Sequence, residues 1–276
     1  MCSVSLRYKK CIVDRMNIVA AIILGLVQGL TEFIPVSSSG HIVLVQNILN
    51  LPSNFKFDVL LNFGTLLALV LYYRSTITEI VFDVVRRRDV KLALRLAVAT
   101  IPAVTVGLLL GDFIENSLQS VWVVITMLIV VGTFMVLFKH RSKGKELNKL
   151  TVFDAFKIGL VQAVALIPGT SRSGSTILMG QAVGLGSNDA ARFSFMLAIP
   201  TIFGATMKVA LSGDGRQFIA ENIGLILLGN VMSFLAGAFA VRFLIRILGE
   251  RGLKPFGFYR LGLSALLIVL LFAKII

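Results

Sequence analysis

Two twenty-residue stretches of this chain are versions of one another, and each breaks apolar sequence with a polar turn. "GLVQGLTEFIPVSSSGHIVL" begins at Gly25 and "GLVQAVALIPGTSRSGSTIL" at Gly159. Aligned without gaps they agree at eight of twenty positions, with an offset of 134 in a chain of 276 residues. The apolar pieces that flank the turns are 17–34 and 41–51 in the first copy, 151–167 and 172–185 in the second. The second piece of each pair is too short to cross a hydrocarbon core of about 30 Å at about 1.5 Å per helical residue. A short helix, a Pro-Ser-Gly turn and another short helix read as a re-entrant hairpin that returns to the side it entered from. Irregular backbone at membrane depth is tolerated only where it is buried in protein or lines a wet cavity. Both turns are therefore expected to line a cavity.

The remaining sequence supplies the membrane. The chain is 57% hydrophobic and 15% charged, against roughly 45–50% and about 25% in a soluble domain. Six further apolar windows, 57–73, 92–111, 120–138, 190–211, 218–241 and 256–275, are long enough to span. The expected fold is an all-α polytopic membrane protein: about six transmembrane helices plus two re-entrant helix-turn-helix hairpins arranged as an inverted repeat. Residues 16–276 would form a single membrane domain, with repeats at about 16–138 and 151–275. Residues 1–15 are polar and basic and carry no cleavage signature. They read as an N-terminal tail or an upstream-start artefact before Met16. Cys2 and Cys11 are the only cysteines, which gives no disulfide framework and no zinc site.

The net charge of +13 sits between apolar windows without interleaved aromatics, so it reads as cytoplasmic loops and not as a nucleic-acid surface. Arg74, Arg86, Arg87, Arg88, Lys91 and Arg95 follow the first span; Lys139, Arg141, Lys143, Lys145 and Lys149 precede the second hairpin; Arg242, Arg246, Arg251 and Lys254 precede the last span. "GDFIENSLQS" at 111–120 has neither Lys nor Arg. With the basic loops inside, the first hairpin enters from outside, the second from inside, and both termini are outside. Broken helices that meet near the midplane are a recurrent place for a ligand.

Within the turns, Gln28 and Glu32 are four apart and share a helix face. A carboxylate inside a membrane segment is a functional candidate, against the plainer reading of an interfacial acid paired with a base. Ser37, Ser38 and Ser39 are either helix caps or donors to an anion, and Gly40 relaxes the backbone beside them. His41 is either a packing residue or a proton carrier, and His140, in "KHRSK", reads as a solvated loop residue. The second turn brings Arg172, aligned with Ser38, together with Thr170, Ser171, Ser173, Gly174 and Thr176. An arginine at depth needs a partner, either Glu32 or a bound anion, and its planar fork suits phosphate oxygens. Hydroxyls and N–H groups at helix N-termini add anion donors.

At these residues the chain resembles the undecaprenyl-diphosphate phosphatase family, the integral-membrane type linked to bacitracin resistance. "QGLTEFIPVSSSGH" and "PGTSRSGST" resemble its two signatures, and "FDVLLNFGTLLALVLYYR", "IPAVTVGLLLGD" and "KPFGFYRLGLSALL" fall where the family has similar stretches. The likeness runs over about residues 16–275. It implies hydrolysis of a C55 polyprenyl diphosphate to the monophosphate, recycling the lipid carrier of cell-wall polymers, at a site in the cell membrane open to the outer face. Many members carry Glu where this chain has Gln28, which leaves Glu32 as the candidate ligand of a divalent cation, Mg or Ca; no organic cofactor is expected. The expected partners are the lipid diphosphate and the bilayer, with a homodimer as a candidate assembly and no nucleic acid. In the expected mechanism Arg172 grips the diphosphate with Ser37, Ser39, Gly40, Thr170, Ser171, Ser173, Gly174 and Thr176. Ser38 attacks, His41 takes its proton, and Glu32 orients His41 or binds the cation, with Gln28 in support. In a variant, His41 or a cation-bound water attacks directly. The alternative of another class is a flippase for the polyprenyl phosphate, which needs the anion grip and no nucleophile.

Overall fold

The computed structural model describes residues 17–139 and 144–273. The expected tail at 1–15, together with His140, Arg141 and Lys143, lies outside the described residues. The described residues hold twelve α-helices and no strand. The first hairpin is α1 (Ile18–Phe33) and α2 (Ser38–Ile48). There follow α3 (Phe55–Tyr72), α4 (Arg74–Phe82), α5 (Lys91–Leu109), α6 (Gly111–Ser117) and α7 (Val121–Leu137). The second hairpin is α8 (Val152–Val164) and α9 (Arg172–Ala182), followed by α10 (Ser187–Leu211), α11 (Gly213–Arg251) and α12 (Lys254–Phe272).

Five helices, α3, α5, α10, α11 and α12, are long and apolar enough to cross a membrane. The expected span at 120–138 is α7, an apolar helix of 17 residues, about 25 Å long at about 1.5 Å per residue. The 39 residues of α11 carry a break at Asn222, whose φ of −125° and ψ of 17° are not helical; it falls within the first turn or so of the expected span at 218–241. Large apolar side chains face outward along these helices, Val231, Leu235 and Phe239 on α11 among them. In water such a stripe would be an aggregation liability; against lipid tails it is the solvated surface. These helices make an all-α polytopic membrane protein.

Capping explains where helices begin. Asn17, Asn54 and Ser120 each accept a backbone N–H with their side chains at the starts of α1, α3 and α7. Thr151 and Asp154 form a reciprocal capping box on α8, and Lys145 Nζ reaches Asp154 Oδ2 at 2.6 Å.

Close backbone contact holds the hairpins in the bundle. Helix α1 packs on α11, and α8 packs on α5. Gly25 on α1 faces the Gly229 backbone of α11, and a Cβ there would strike the Gly229 carbonyl. Gly159 on α8, its counterpart across the offset of 134, faces the backbone of Ala99 on α5 in the same way. The repeat is thus legible in packing as well as in sequence: one glycine of each copy lets its helix approach a long partner. Helix α3 packs on α10 and α11, and α7 on α12.

Candidate active site

Both polar turns adopt one backbone shape. Ser37 has φ 74° and ψ 95°, and Ser171 has φ 69° and ψ 103°. A non-glycine residue there is strained, and both serines return a hydrogen bond for it. Ser37 Oγ accepts the Gly40 N–H at 3.3 Å, and Ser171 Oγ accepts the Gly174 N–H at 3.2 Å. The helices they cap, α2 and α9, are each 11 residues long. Ser37 thus takes the plainer of its two readings, a helix cap, and Ser171 caps its helix in the same way. The Gly40 and Gly174 N–H groups are taken up by these caps, whereas each serine hydroxyl only accepts in that bond and keeps its own O–H to donate.

The first residue of each capped helix reaches the same carboxylate. Ser38 opens α2 and Arg172 opens α9; they meet at Glu32, on the last turn of α1. Arg172 Nη2 lies 2.5 Å from Glu32 Oε1, and Ser38 Oγ donates to Glu32 Oε2 at 2.8 Å. Gln28 Nε2 also donates to Oε2, at 2.9 Å. Ser173 Oγ donates to the Glu32 carbonyl at 3.1 Å, so α9 grips α1 by backbone as well as by charge. The Glu32 and Arg172 side chains keep only 11% and 14% of their surface open. A charge pair this enclosed is strong in its low dielectric, and leaving either partner alone would be costly.

His41 does not join this cluster. Its Nδ1 lies 2.8 Å from the Ser37 carbonyl and its Nε2 lies 2.7 Å from the Tyr259 hydroxyl. The carbonyl can only accept, so Nδ1 carries a proton, and in the neutral ring Nε2 accepts from Tyr259. With both ring nitrogens engaged elsewhere, the expected chain from Glu32 through His41 to Ser38 is not assembled. Glu32 touches Ser38 directly. Thr176 also turns away: its hydroxyl donates to the Arg172 carbonyl at 2.8 Å and pairs with Ser194 on α10 at 2.5 Å. It braces α9 and does not line the turn. Ser39 ties the two hairpins together, since its Oγ accepts the Gly169 N–H at 3.0 Å and approaches Ser37 Oγ at 3.2 Å.

Several buried donors near the turns have no protein partner. Arg172 Nη1 and Thr170 Oγ1 are two. Arg260 on α12 gives two more, Nε and Nη1, while its Nη2 donates to the carbonyls of Gly169 at 2.8 Å and Met127 at 3.0 Å. Arg260 is fully buried. Buried donors without partners are costly in an apolar interior, and a cluster of them is what an anion would satisfy. Asn62, whose Oδ1 accepts from Gln28 Nε2 at 2.7 Å, and Tyr259 and Arg260 were not singled out as site residues because they lie in apolar spans outside both signatures. The available signals were a polar side chain at membrane depth and the family-like stretches that hold all three.

The same donor set suits a resident divalent cation poorly. No three His, Cys, Asp or Glu side chains gather as metal ligands among the described residues. Glu32 would be a lone carboxylate ligand, and a guanidinium already holds one of its oxygens.

Known proteins resemble this chain along nearly its whole length. A protein of Alcanivorax borkumensis named undecaprenyl-diphosphatase is 43% identical over 259 residues, covering 90% of this chain and 97% of that one. Proteins of the same name from Neisseria meningitidis serogroup C and Rubrobacter xylanophilus are 37% and 38% identical over 264 and 275 residues. Each of those two alignments covers 93% of this chain, and 96% and 99% of the relative. The family described as "Bacitracin resistance protein BacA" matches residues 21–266, through both hairpins and nearly all of the helical bundle, and the chain belongs to that family.

Proposed function

We propose that this protein hydrolyses undecaprenyl diphosphate to the monophosphate and inorganic phosphate, a membrane phosphatase step that returns the lipid carrier to cell-wall synthesis and underlies bacitracin resistance. The family and the names of its relatives support the reaction. One observation carries the mechanism: Ser38 donates its proton toward Glu32 while Arg172 holds the other carboxylate oxygen.

In this reading the diphosphate enters between the two turns. The free Nη1 of Arg172, the Thr170 hydroxyl and the free donors of Arg260 bind its oxygens. Ser38 Oγ attacks the terminal phosphorus as its proton passes to Glu32 Oε2, and the bond to the bridging oxygen breaks, releasing undecaprenyl monophosphate. Water then cleaves the phosphoserine, freeing phosphate, with Glu32 returning the proton. Arg172 balances charge on the carboxylate and on the transferring phosphoryl group. His41, held by Ser37 and Tyr259, shapes the turn at the start of α2.

The finer placement belongs to the same proposal. Basic loops at 74–95 and 242–254 and the acidic stretch at 111–120 support a site open to the outer face, with the two hairpins inverted across the membrane. The deciding assay is phosphate release from undecaprenyl diphosphate by the purified protein, with and without a chelator. Phosphate release establishes the phosphatase, and loss of release on chelation would establish the divalent cation. Protein that binds the lipid diphosphate and releases no phosphate, with or without added Mg or Ca, would overturn the reading and favour the flippase.

A further inference from the structure

Glu32 is held by more than the two hairpins. Gln28 has one amide nitrogen with two N–H bonds. One goes to Glu32 Oε2 at 2.9 Å, the other to Asn62 Oδ1 on α3 at 2.7 Å. Asn62 is anchored in turn, because its Nδ2 donates to the Asp58 carbonyl one turn earlier at 3.1 Å. That bond decides which end of the Asn62 amide faces Gln28.

The stretch of α3 around Asn62 is itself clamped by α11. Ser233 Oγ donates to the Leu61 carbonyl at 3.0 Å, and Asn230 Oδ1 accepts the Gly64 N–H at 2.6 Å. Asn230 is fixed by its own bond to the Ile226 carbonyl at 2.8 Å. A Cβ on Gly64 would strike the Asn230 carbonyl, so the two backbones touch here. A continuous set of contacts thus runs from α11 through α3 and α1 to the carboxylate.

We propose that Asn62 is a positioning residue for the phosphatase reaction: it holds the Gln28 amide in the one orientation that keeps an N–H on Glu32 Oε2. The inference rests on the reading of Glu32 as the proton acceptor for Ser38. An amide can turn over end for end. Turned, Gln28 would set its carbonyl oxygen against the Glu32 carboxylate and against Asn62 Oδ1, two acceptor-to-acceptor contacts. With acceptors on both sides, only the nitrogen end fits. Gln28 is 2% exposed, so water has little room to replace a lost partner. If Asn62 is removed, only Glu32 constrains the amide, and the Oε2 lone pair facing Ser38 is less well placed. Small errors of placement in an active site have large kinetic effects.

The test uses full-length purified protein and phosphate release from undecaprenyl diphosphate. Asn62→Leu should lower kcat by about 10–100-fold, the range typical of partners one step removed from the chemistry. KM should stay within about twofold, since no anion donor is lost. Asn62→Ser, too short to reach Gln28 and free of added bulk, should show the same loss and covers the case in which the leucine variant does not fold. In a Gln28→Leu background either Asn62 change should cost at most a further factor of about two, because the two residues act as one unit. A merely structural role for Asn62 would lower the folded yield or the unfolding temperature and multiply equally in both backgrounds. Wild-type activity with unchanged kcat in both Asn62 variants, or fully multiplicative losses, would overturn the inference and leave the phosphatase standing. A wild type that releases no phosphate would overturn the functional reading, and this inference with it.

Discussion

Ser38 and Arg172 occupy the same place in two copies of one hairpin, yet a hydroxyl and a guanidinium do different work on one carboxylate. The two turns share a backbone shape and differ in the side chain at this one register position. Arg172→Ala should abolish turnover while leaving the bundle folded, and Arg172→Lys should also be poor, because a point charge cannot reach Glu32 and phosphate with one planar fork. Near-normal phosphate release by the lysine variant would contradict this. Glu32→Gln should lower turnover by about two to four orders of magnitude, the range for a positioned proton acceptor, and Ser38→Ala should match it if the serine is the nucleophile. His41→Ala should be the mildest of the three, since His41 touches neither Ser38 nor Glu32 among its hydrogen bonds. Equal kcat losses for His41→Ala and Glu32→Gln would restore histidine as the base. Glu32, Ser38 and Arg172 were legible in the sequence because acids, hydroxyls and bases are conspicuous in apolar surroundings. The sequence pairs His41 with Ser38 because the two are near in the chain, whereas the direction of the His41 ring depends on Ser37 and on Tyr259, 218 residues away.

At the scale of the element, the hairpins were legible because a turn with Pro, Ser and Gly cannot continue a helix, and the short pieces cannot span. Ser37 and Ser171 show the reason in detail, each capping its helix from a backbone conformation that is unusual for serine. The depth to which the hairpins sink was not legible, since it is set by contacts with helices distant in sequence. Glycine separates the two kinds of contact. On propensity alone, Gly→Ala in a helix gains about 1 kcal/mol. Gly204 on α10 has open space where its Cβ would be, so Gly204→Ala should be neutral or stabilising. Gly25→Ala drives its Cβ into the Gly229 carbonyl and should instead lose about 1–3 kcal/mol through forced separation of α1 and α11. Thermal unfolding in detergent, followed by circular dichroism, measures both. If Gly25→Ala proved as stable as Gly204→Ala, the close approach of α1 to α11 would not be what seats the first hairpin.

At the scale of the molecule, the fold class followed from apolar length and low charge, while the direction of insertion rests on where the bases fall. Arg86, Arg87 and Arg88 lie exposed beyond α4, and Lys149 lies exposed before α8. The other end of the bundle carries α6 with Asp112 and Glu115 and, among its residues, no Lys or Arg. On the proposed orientation, with the basic ends inside, α5 and α7 would lead to α6 outside, the first hairpin would dip from outside, and the second would dip from inside to meet it. Arg172 would reach Glu32 from the opposite side of the membrane to the one α1 entered from. The orientation can be read with single cysteines once Cys2 and Cys11 are replaced by Ser. Ser117→Cys, exposed at the end of α6, should react with a membrane-impermeant maleimide in intact cells. Lys149→Cys, exposed before α8, should react only after the cells are opened. Each variant should first be shown to release phosphate, so that labelling reports the working orientation. The reverse pattern would turn the first hairpin to the cytoplasm and defeat the outer-face site. Labelling of both positions in intact cells would mean that α7 does not span, and the inverted arrangement of the two halves would fall with it.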